Sequence, residues 1–161
     1  MGVYRKRSCA SGFTLTEVLV VLAILSILVL AAIPGFSAWL PHYKLKTSAQ
    51  DLYSRLQSTK LQAIRQNTAT GVSFFVSPDR YIHTGAGTPK TVSLEDYGYG
   101  INFDAPPGQT FDPGFVEFDS RGFSNGGDAY MSNDRNSAYY RIHVLSTGVV
   151  RLQKWKGGAW E

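Results

Sequence analysis

The stretch Gly12-Phe13-Thr14-Leu15-Thr16-Glu17-Val18-Leu19-Val20-Val21-Leu22-Ala23-Ile24-Leu25-Ser26-Ile27-Leu28-Val29-Leu30-Ala31-Ala32-Ile33-Pro34 divides the chain into a short basic leader and a polar domain. Between Val18 and Ile33 the only polar side chain is Ser26. Read as helix, Phe13 to Ile33 is roughly 30 Å long at about 1.5 Å per residue, enough to cross the hydrocarbon core of a bilayer. Glu17 is out of place in an ordinary span. An acid there costs a few kcal/mol on insertion scales, so by default it is a functional residue, and its partner has to be cationic.

Arg5-Lys6-Arg7, the Gly12-Phe13 junction, and Glu17 inside an apolar run that reaches Pro34 together resemble the prepilin signal of type IV pilins and type II secretion pseudopilins. The resemblance implies that a prepilin peptidase and methyltransferase of the membrane cuts after Gly12 and methylates the new amino terminus, Phe13. It also implies a partner for Glu17, the free amine of Phe13 on a neighbouring subunit of the filament. Two plainer readings compete. A secretory signal peptide would need a cut near Ala31-Ala32, where Ile33-Pro34-Gly35 is a poor small-residue site. A simple signal anchor explains the apolar run and the basic Arg5-Lys6-Arg7 but leaves Glu17 without a reason.

With leader and span set aside, the 161-residue chain holds one domain of modest size. Its formal charge of +4 points toward polyanions, but the leader carries three of the sixteen Lys and Arg and none of the twelve acids. The processed chain would have thirteen bases against twelve acids, which removes the global case for a nucleic-acid partner. The distribution is uneven all the same. Glu95 to Asp134 holds eight acids and one base, Arg121, whereas Arg135, Arg141, Arg151, Lys154 and Lys156 are followed only by Glu161. The single cysteine, Cys9, would leave with the leader, so no disulfide can staple the domain. Many major pilins close a C-terminal loop with a disulfide, and this departure favours a pseudopilin or minor pilin.

Pro34-Gly35 and Pro41 predict a kink or a locally melted turn between Ile33 and Tyr43, because proline removes a backbone donor and crowds the preceding turn. Trp39, His42 and Tyr43 read as an aromatic belt where the chain leaves the bilayer. From Tyr43 to about Asn67 the pattern is an amphipathic helix with Leu45, Ala49, Leu52, Leu56, Ala63 and Ile64 on one face. Downstream the strands read as Gly71 to Val76 and Arg80 to His83 around Ser77-Pro78-Asp79, then Tyr97 to Phe103, then Phe115 to Asp119. Gly85 to Pro89 and Ala105 to Gly114 read as loops. Ala138 to Leu145 and Val149 to Trp155, joined by Ser146-Thr147-Gly148, form the strongest hairpin.

Phe115-Val116-Glu117-Phe118, Ser120-Arg121-Gly122, a Gly-rich loop, Tyr140-Arg141-Ile142-His143-Val144 and Thr147-Gly148-Val149-Val150-Arg151 are similar to the GspH/FimT group of minor pseudopilins and pilins. The fold class expected is α+β, a pilin fold in which one long helix packs on a mostly antiparallel sheet. Residues 1–12 are the leader, 13–34 the membrane-spanning and filament-core helix, and 35–161 the periplasmic domain, with an amphipathic helix at about 43–67 and a β-domain at about 71–161. The function expected is that of a minor pilin or pseudopilin in a type IV pilus or type II secretion pseudopilus, anchored once in the bacterial inner membrane and partnered by other subunits.

No G-x-S-x-G, H-E-x-x-H or Walker sequence is present, and Gly85-x-Gly87 before Pro89-Lys90 lacks the third glycine of a dinucleotide site. The histidines His42, His83 and His143 are scattered singly, so neither an enzyme nor a cofactor is expected. Asp119, Asp128 and Asp134 could meet to hold calcium, although their spacing fits no loop motif and the expectation is a solvated acidic face. Arg151, Lys154 and Lys156 interleave with Trp155 and Trp160, a pattern able to contact phosphates and stack bases. Some FimT-like minor pilins bind DNA for transformation through a Gly-Arg-x-Arg signature. Here it reads Gly148-Val149-Val150-Arg151, and the competing reading is an edge strand whose charges discourage pairing.

Overall fold

The computed structural model describes residues 12–84, 88–111, 114–133, 138–156 and 158–161, with the side chains of 31–35 left aside. The chain forms two units, Met1–Ala38 and Trp39–Glu161. Helix α1 (Leu15–Gln66) begins in the first and ends in the second.

In the first unit Thr14 caps the helix, its Oγ1 accepting the Glu17 N–H at 3.2 Å. Thr14-x-x-Glu17 is therefore the start of a capping box, and Glu17 stands in the first turn, where the helix dipole favours an acid. Ser26 is satisfied locally by donating to the Leu22 carbonyl at 2.8 Å. The large apolar side chains from Phe13 to Leu30 are exposed. Among the described residues no helix is long and apolar enough to cross a membrane. Pro34, Gly35 and Pro41 lie inside α1, so the locally melted turn expected between Ile33 and Tyr43 is absent. A helix can absorb a proline at a cost of about 3 kcal/mol by leaving one carbonyl unbonded instead of breaking.

In the second unit Leu45, Ala49, Leu52, Leu56 and Ala63 are fully buried, as the apolar stripe predicts. Ile64 is not part of it and is exposed. The described strands are β1 (Thr70–Val76), β2 (Asp79–His83), β3 (Lys90–Ser93), β4 (Ile101–Asn102), β5 (Phe115–Phe118), β6 (Gly127–Asn133), β7 (Tyr140–Val144), β8 (Val150–Lys156) and β9 (Ala159–Trp160). They form two sheets, ordered β3-β2-β1-β5 and β4-β6-β7-β8-β9. Every described pairing is antiparallel.

The two expected hairpins are β1–β2 and β7–β8. The strand expected from Tyr97 to Phe103 shrinks to a 3-10 turn at Glu95–Tyr97 and the two residues of β4. Gly98, Tyr99 and Gly100 all have positive φ, a left-handed run that no strand accommodates. Strands β3, β6 and β9 are additional to the sequence reading. Gly85 to Gly87 of the first expected loop, and residues 112–113 of the second, lie outside the described residues.

The inner face of the first sheet supplies Val72, Phe74, Tyr81, Val116 and Phe118, and that of the second Ala129, Met131, Tyr140, Ile142, Val144 and Val150. Directional bonds fix how these faces meet α1. Asp51 accepts from Tyr81 Oη at 3.1 Å, from Tyr97 Oη, and from Arg55 Nε at 2.8 Å. Burial works to raise the Asp51 pKa, but the bonds from Tyr97 and Arg55 outweigh it and hold the carboxyl below its ordinary value of 3.8. Burial pushes the Tyr81 phenol up, so it stays a donor.

The second sheet is tied by Lys60, whose Nζ donates to the Gly148 carbonyl at 2.9 Å. Gly148 has φ +76, and a Cβ there would come within 1.7 Å of the Gly122 carbonyl oxygen. Gly122, at φ +86, in turn lies against Ile64. The two turns therefore cross backbone to backbone over α1, and only glycine fits.

A depressed carboxyl pKa contributes stability that is fully present above the unfolded value and lost as pH falls through the folded one. Comparing thermal midpoints of the full chain in uncharged detergent, we expect the parent to lose more on acidification below about pH 4 than Asp51→Asn does. Parallel profiles would refute the role of Asp51. Gly148→Ala should cost about 3 kcal/mol or more. By contrast Gly108→Ala, where φ is +84 but nothing lies within 4 Å, meets only backbone strain of about 1–2 kcal/mol. Equal losses would mean the crossing turns simply move apart.

Candidate functional site

Gly12 and Phe13 precede the Thr14 cap in non-helical backbone. Nothing lies within 4 Å of a Cβ placed on Gly12, and Phe13 is 83% exposed. The peptide bond between them thus lies outside the helix and is open to an approaching peptidase. Arg5, Lys6, Arg7 and Cys9 lie outside the described residues. The capping box around Glu17 was readable as Thr14-Leu15-Thr16-Glu17, and the sequence reading passed over it.

The three C-terminal cations do not form one patch. Strand register pairs His143 with Arg151, Arg141 with Gln153 and Tyr140 with Lys154. Alternation therefore puts Arg151, Gln153 and Trp155 on the outer face of the second sheet, and Val150, Leu152, Lys154 and Lys156 on the face toward α1. Lys156 Nζ is 3.3 Å from Glu161 Oε2. Strand β9 pairs with Trp155 and Lys156, so this end of β8 is not the edge that the sequence reading allowed for.

The cation that meets the tryptophans is Arg141, which the sequence reading did not single out. Its guanidinium lies 4.7 Å from the Trp160 ring centroid and donates to Gln153 Oε1 at 2.6 Å. Beside it His143 Nδ1 is 2.5 Å from Asp128 Oδ1.

Asp119 is occupied by its own turn, with Oδ1 accepting the Arg121 and Phe123 N–H groups at 2.8 and 2.9 Å. Asp128 faces His143 and Arg141, and Asp134 lies outside the described residues. Among the described residues no group of three His, Cys, Asp or Glu is placed to hold a metal ion. Burial, with Arg55 and Lys90 nearby, holds the His83 pKa below its ordinary value.

The face bearing Lys154 borders an open cleft of about 660 Å³. Trp39, His42, Tyr43 and Lys46 of α1 line one side, and Tyr140, Leu152, Gln153, Lys154 and Glu161 the other.

A long helix against antiparallel sheets, with a capped apolar N-terminal segment, defines a pilin-like protein. The model of the prokaryotic N-terminal methylation motif matches residues 7–33, and that of type II transport protein GspH matches residues 48–148. The latter covers more than half of the chain, which belongs to the GspH family. Among solved structures, the minor pseudopilin EpsH of the type 2 secretion system of Vibrio cholerae is 20% identical, over 68% of this chain and 95% of that one, with a TM-score of 0.53. The type IV minor pilin FimU of Pseudomonas aeruginosa is 11% identical, over 69% of this chain and 89% of that one, also with a TM-score of 0.53. At such identities the likeness is one of fold. No curated protein matches the sequence.

Proposed function

We propose that the chain is a minor pilin or pseudopilin, a structural subunit with no catalytic role. Prepilin peptidase cuts it after Gly12 and Phe13 is methylated. It then enters, at low copy, the start or tip of a type IV pilus or type II secretion pseudopilus. The observation that carries this reading is the junction itself: open, non-helical Gly12-Phe13 one residue before the Thr14 cap, with Glu17 in the first turn of an apolar helix. The exposed side chains from Phe13 to Leu30 support a single-pass anchor in the inner membrane with the β-domain in the periplasm, because that surface requires lipid or neighbouring subunits around it. Arg5-Lys6-Arg7 suits the cytoplasmic side. Pro34 and Gly35 are the proposed position of a kink within α1.

Mass spectrometry of membrane-extracted protein should find a chain beginning at methylated Phe13, and Gly12→Val should leave the precursor uncut. Glu17→Val and Glu17→Gln should both be cleaved and inserted yet incorporated poorly, as judged by their share in sheared filaments. Normal incorporation of both would end the pairing idea. Normal incorporation of Glu17→Gln alone would make Glu17 a helix cap, since Gln keeps the capping group and loses only the charge.

A second reading, DNA contact by Arg151, Lys154 and Lys156, draws on their exposure beside Trp155 and Trp160. With the cations on opposite faces at most two can serve one duplex, giving a log-log salt slope no steeper than about −1.8. We expect no gel shift of duplex DNA at tens of micromolar full chain in low salt. A shift with that slope, lost in Lys154→Gln/Lys156→Gln, would establish this reading instead.

A further inference from the structure

We propose that the cleft between the first turns of α1 in the second unit and the end of β8 holds the headgroup of an anionic phospholipid. The proposal rests on the membrane anchoring above in one respect only, that the chain is tethered to a bilayer. Its volume, about 660 Å³, lies in the range of small-molecule clefts. Lys46 lines it from the helix and Lys154 from the sheet, so two lysines distant in sequence border one cleft. Neither enters an ion pair among the described residues. The carboxylate of Glu161 sits beside Lys156, and the Glu161 N–H and carbonyl are bonded to the backbone of Lys154 at 3.0 and 2.7 Å. Among the charged residues lining the cleft, Lys46 and Lys154 therefore stand against one side-chain carboxylate, that of Glu161, which Lys156 engages.

The ring pair fits the other half of such a ligand. Trp39 and Tyr43 stack at 4.8 Å between centroids, each about half exposed. Amphipathic rings of this kind favour the headgroup level of a bilayer. A phosphodiester would take the two ammonium groups in charge-assisted hydrogen bonds, with the glycerol carbons against the rings. A zwitterionic headgroup brings its own cation, which Lys46 and Lys154 repel. Duplex DNA fits less well, because Arg151 is on the opposite face. Apart from Tyr140, every residue lining the cleft lies outside both segments matched by the family models.

The test uses the full chain in uncharged detergent, with Trp155→Phe/Trp160→Phe leaving Trp39 as the single tryptophan. Trp39 emission is followed against short-chain phosphatidylglycerol, short-chain phosphatidylcholine and inorganic phosphate. The expected result is a saturable change with phosphatidylglycerol at concentrations at least tenfold below the other two. Lys46→Gln/Lys154→Gln should weaken it by roughly tenfold or more, and Arg151→Gln, on the opposite face of the sheet, should leave it unchanged. Equal response to phosphatidylcholine marks simple partitioning of the rings, and equal response to phosphate marks a free-anion site. A shift that depends on protein concentration without lipid marks a second copy as the occupant. Each of these, like indifference to the double lysine change, overturns the proposal. Micelles require neither cleavage nor a bilayer, so failure here is separable from failure of the pilin reading.

Discussion

The β-domain depends on the stripe of α1 formed by Leu45, Ala49, Leu52, Leu56 and Ala63, which is fully buried. Burial of this kind is non-directional and would tolerate the helix rolling or sliding on the sheets. Polar bonds remove that freedom. Asp51 gathers Tyr81 of the first sheet and Tyr97 of the 3-10 turn, and Lys60, nine residues on, reaches Gly148 beside the second sheet. Each sheet thus has its own polar tie to one helix, and the Gly122 and Gly148 turns meet between them without side chains. A row of rings runs on from the core, Tyr81 to Phe74, Phe103, Phe111, Tyr130, Trp160 and Trp155, with neighbouring centroids 4.9 to 6.5 Å apart. It carries the packing from the first sheet to the far edge of the second.

The charge asymmetry of the sequence is partly spent inside the fold. β6, from the acidic segment, pairs with β7, from the basic one, and sets Asp128 beside His143 and Arg141. What looked like a basic terminus open to a polyanion is therefore smaller than its count of cations. Arg141 is committed to Trp160 and Gln153, and Lys156 to Glu161. Lys154, facing the helix, is left with Lys46 across the cleft.

Much of the fold was legible because the informative signals were long or strict. The helical stripe spans several turns, and the β7–β8 hairpin alternates cleanly around Ser146-Thr147-Gly148. The N-terminal motif was legible for the same reason. β6 was hidden because Gly126 and Gly127 read as loop, although Ala129 and Met131 alternate behind them toward the core. β4 was overextended because positive φ at Tyr99 is set by its two glycine neighbours and not by its own propensity. The melted turn at the prolines failed because helix on both sides outweighs one lost bond. The split of Arg151 from Lys154 was already implied by the period of a strand. A count of cations along the sequence passes over it, and register alone makes it a fact about faces.

Magnitudes decide how far helix capping can account for Glu17. An acid in the first turn of a helix gains typically 0.3–1 kcal/mol from the dipole. Thr14 holds the Glu17 N–H in any case, through its own hydroxyl. The cost of an acidic side chain at the centre of a membrane span is about 2.5–3.5 kcal/mol on insertion scales, and somewhat less toward the end of the span, where Glu17 lies. Capping therefore places the residue well within the helix but leaves a deficit of roughly 1–2 kcal/mol in an apolar surrounding. The cation proposed on a neighbouring subunit would supply that difference, and only in an assembled filament. On that proposal, an acid slightly unfavourable in the lone subunit and satisfied in a filament would bias the chain toward assembly, which valine at the same position could not do.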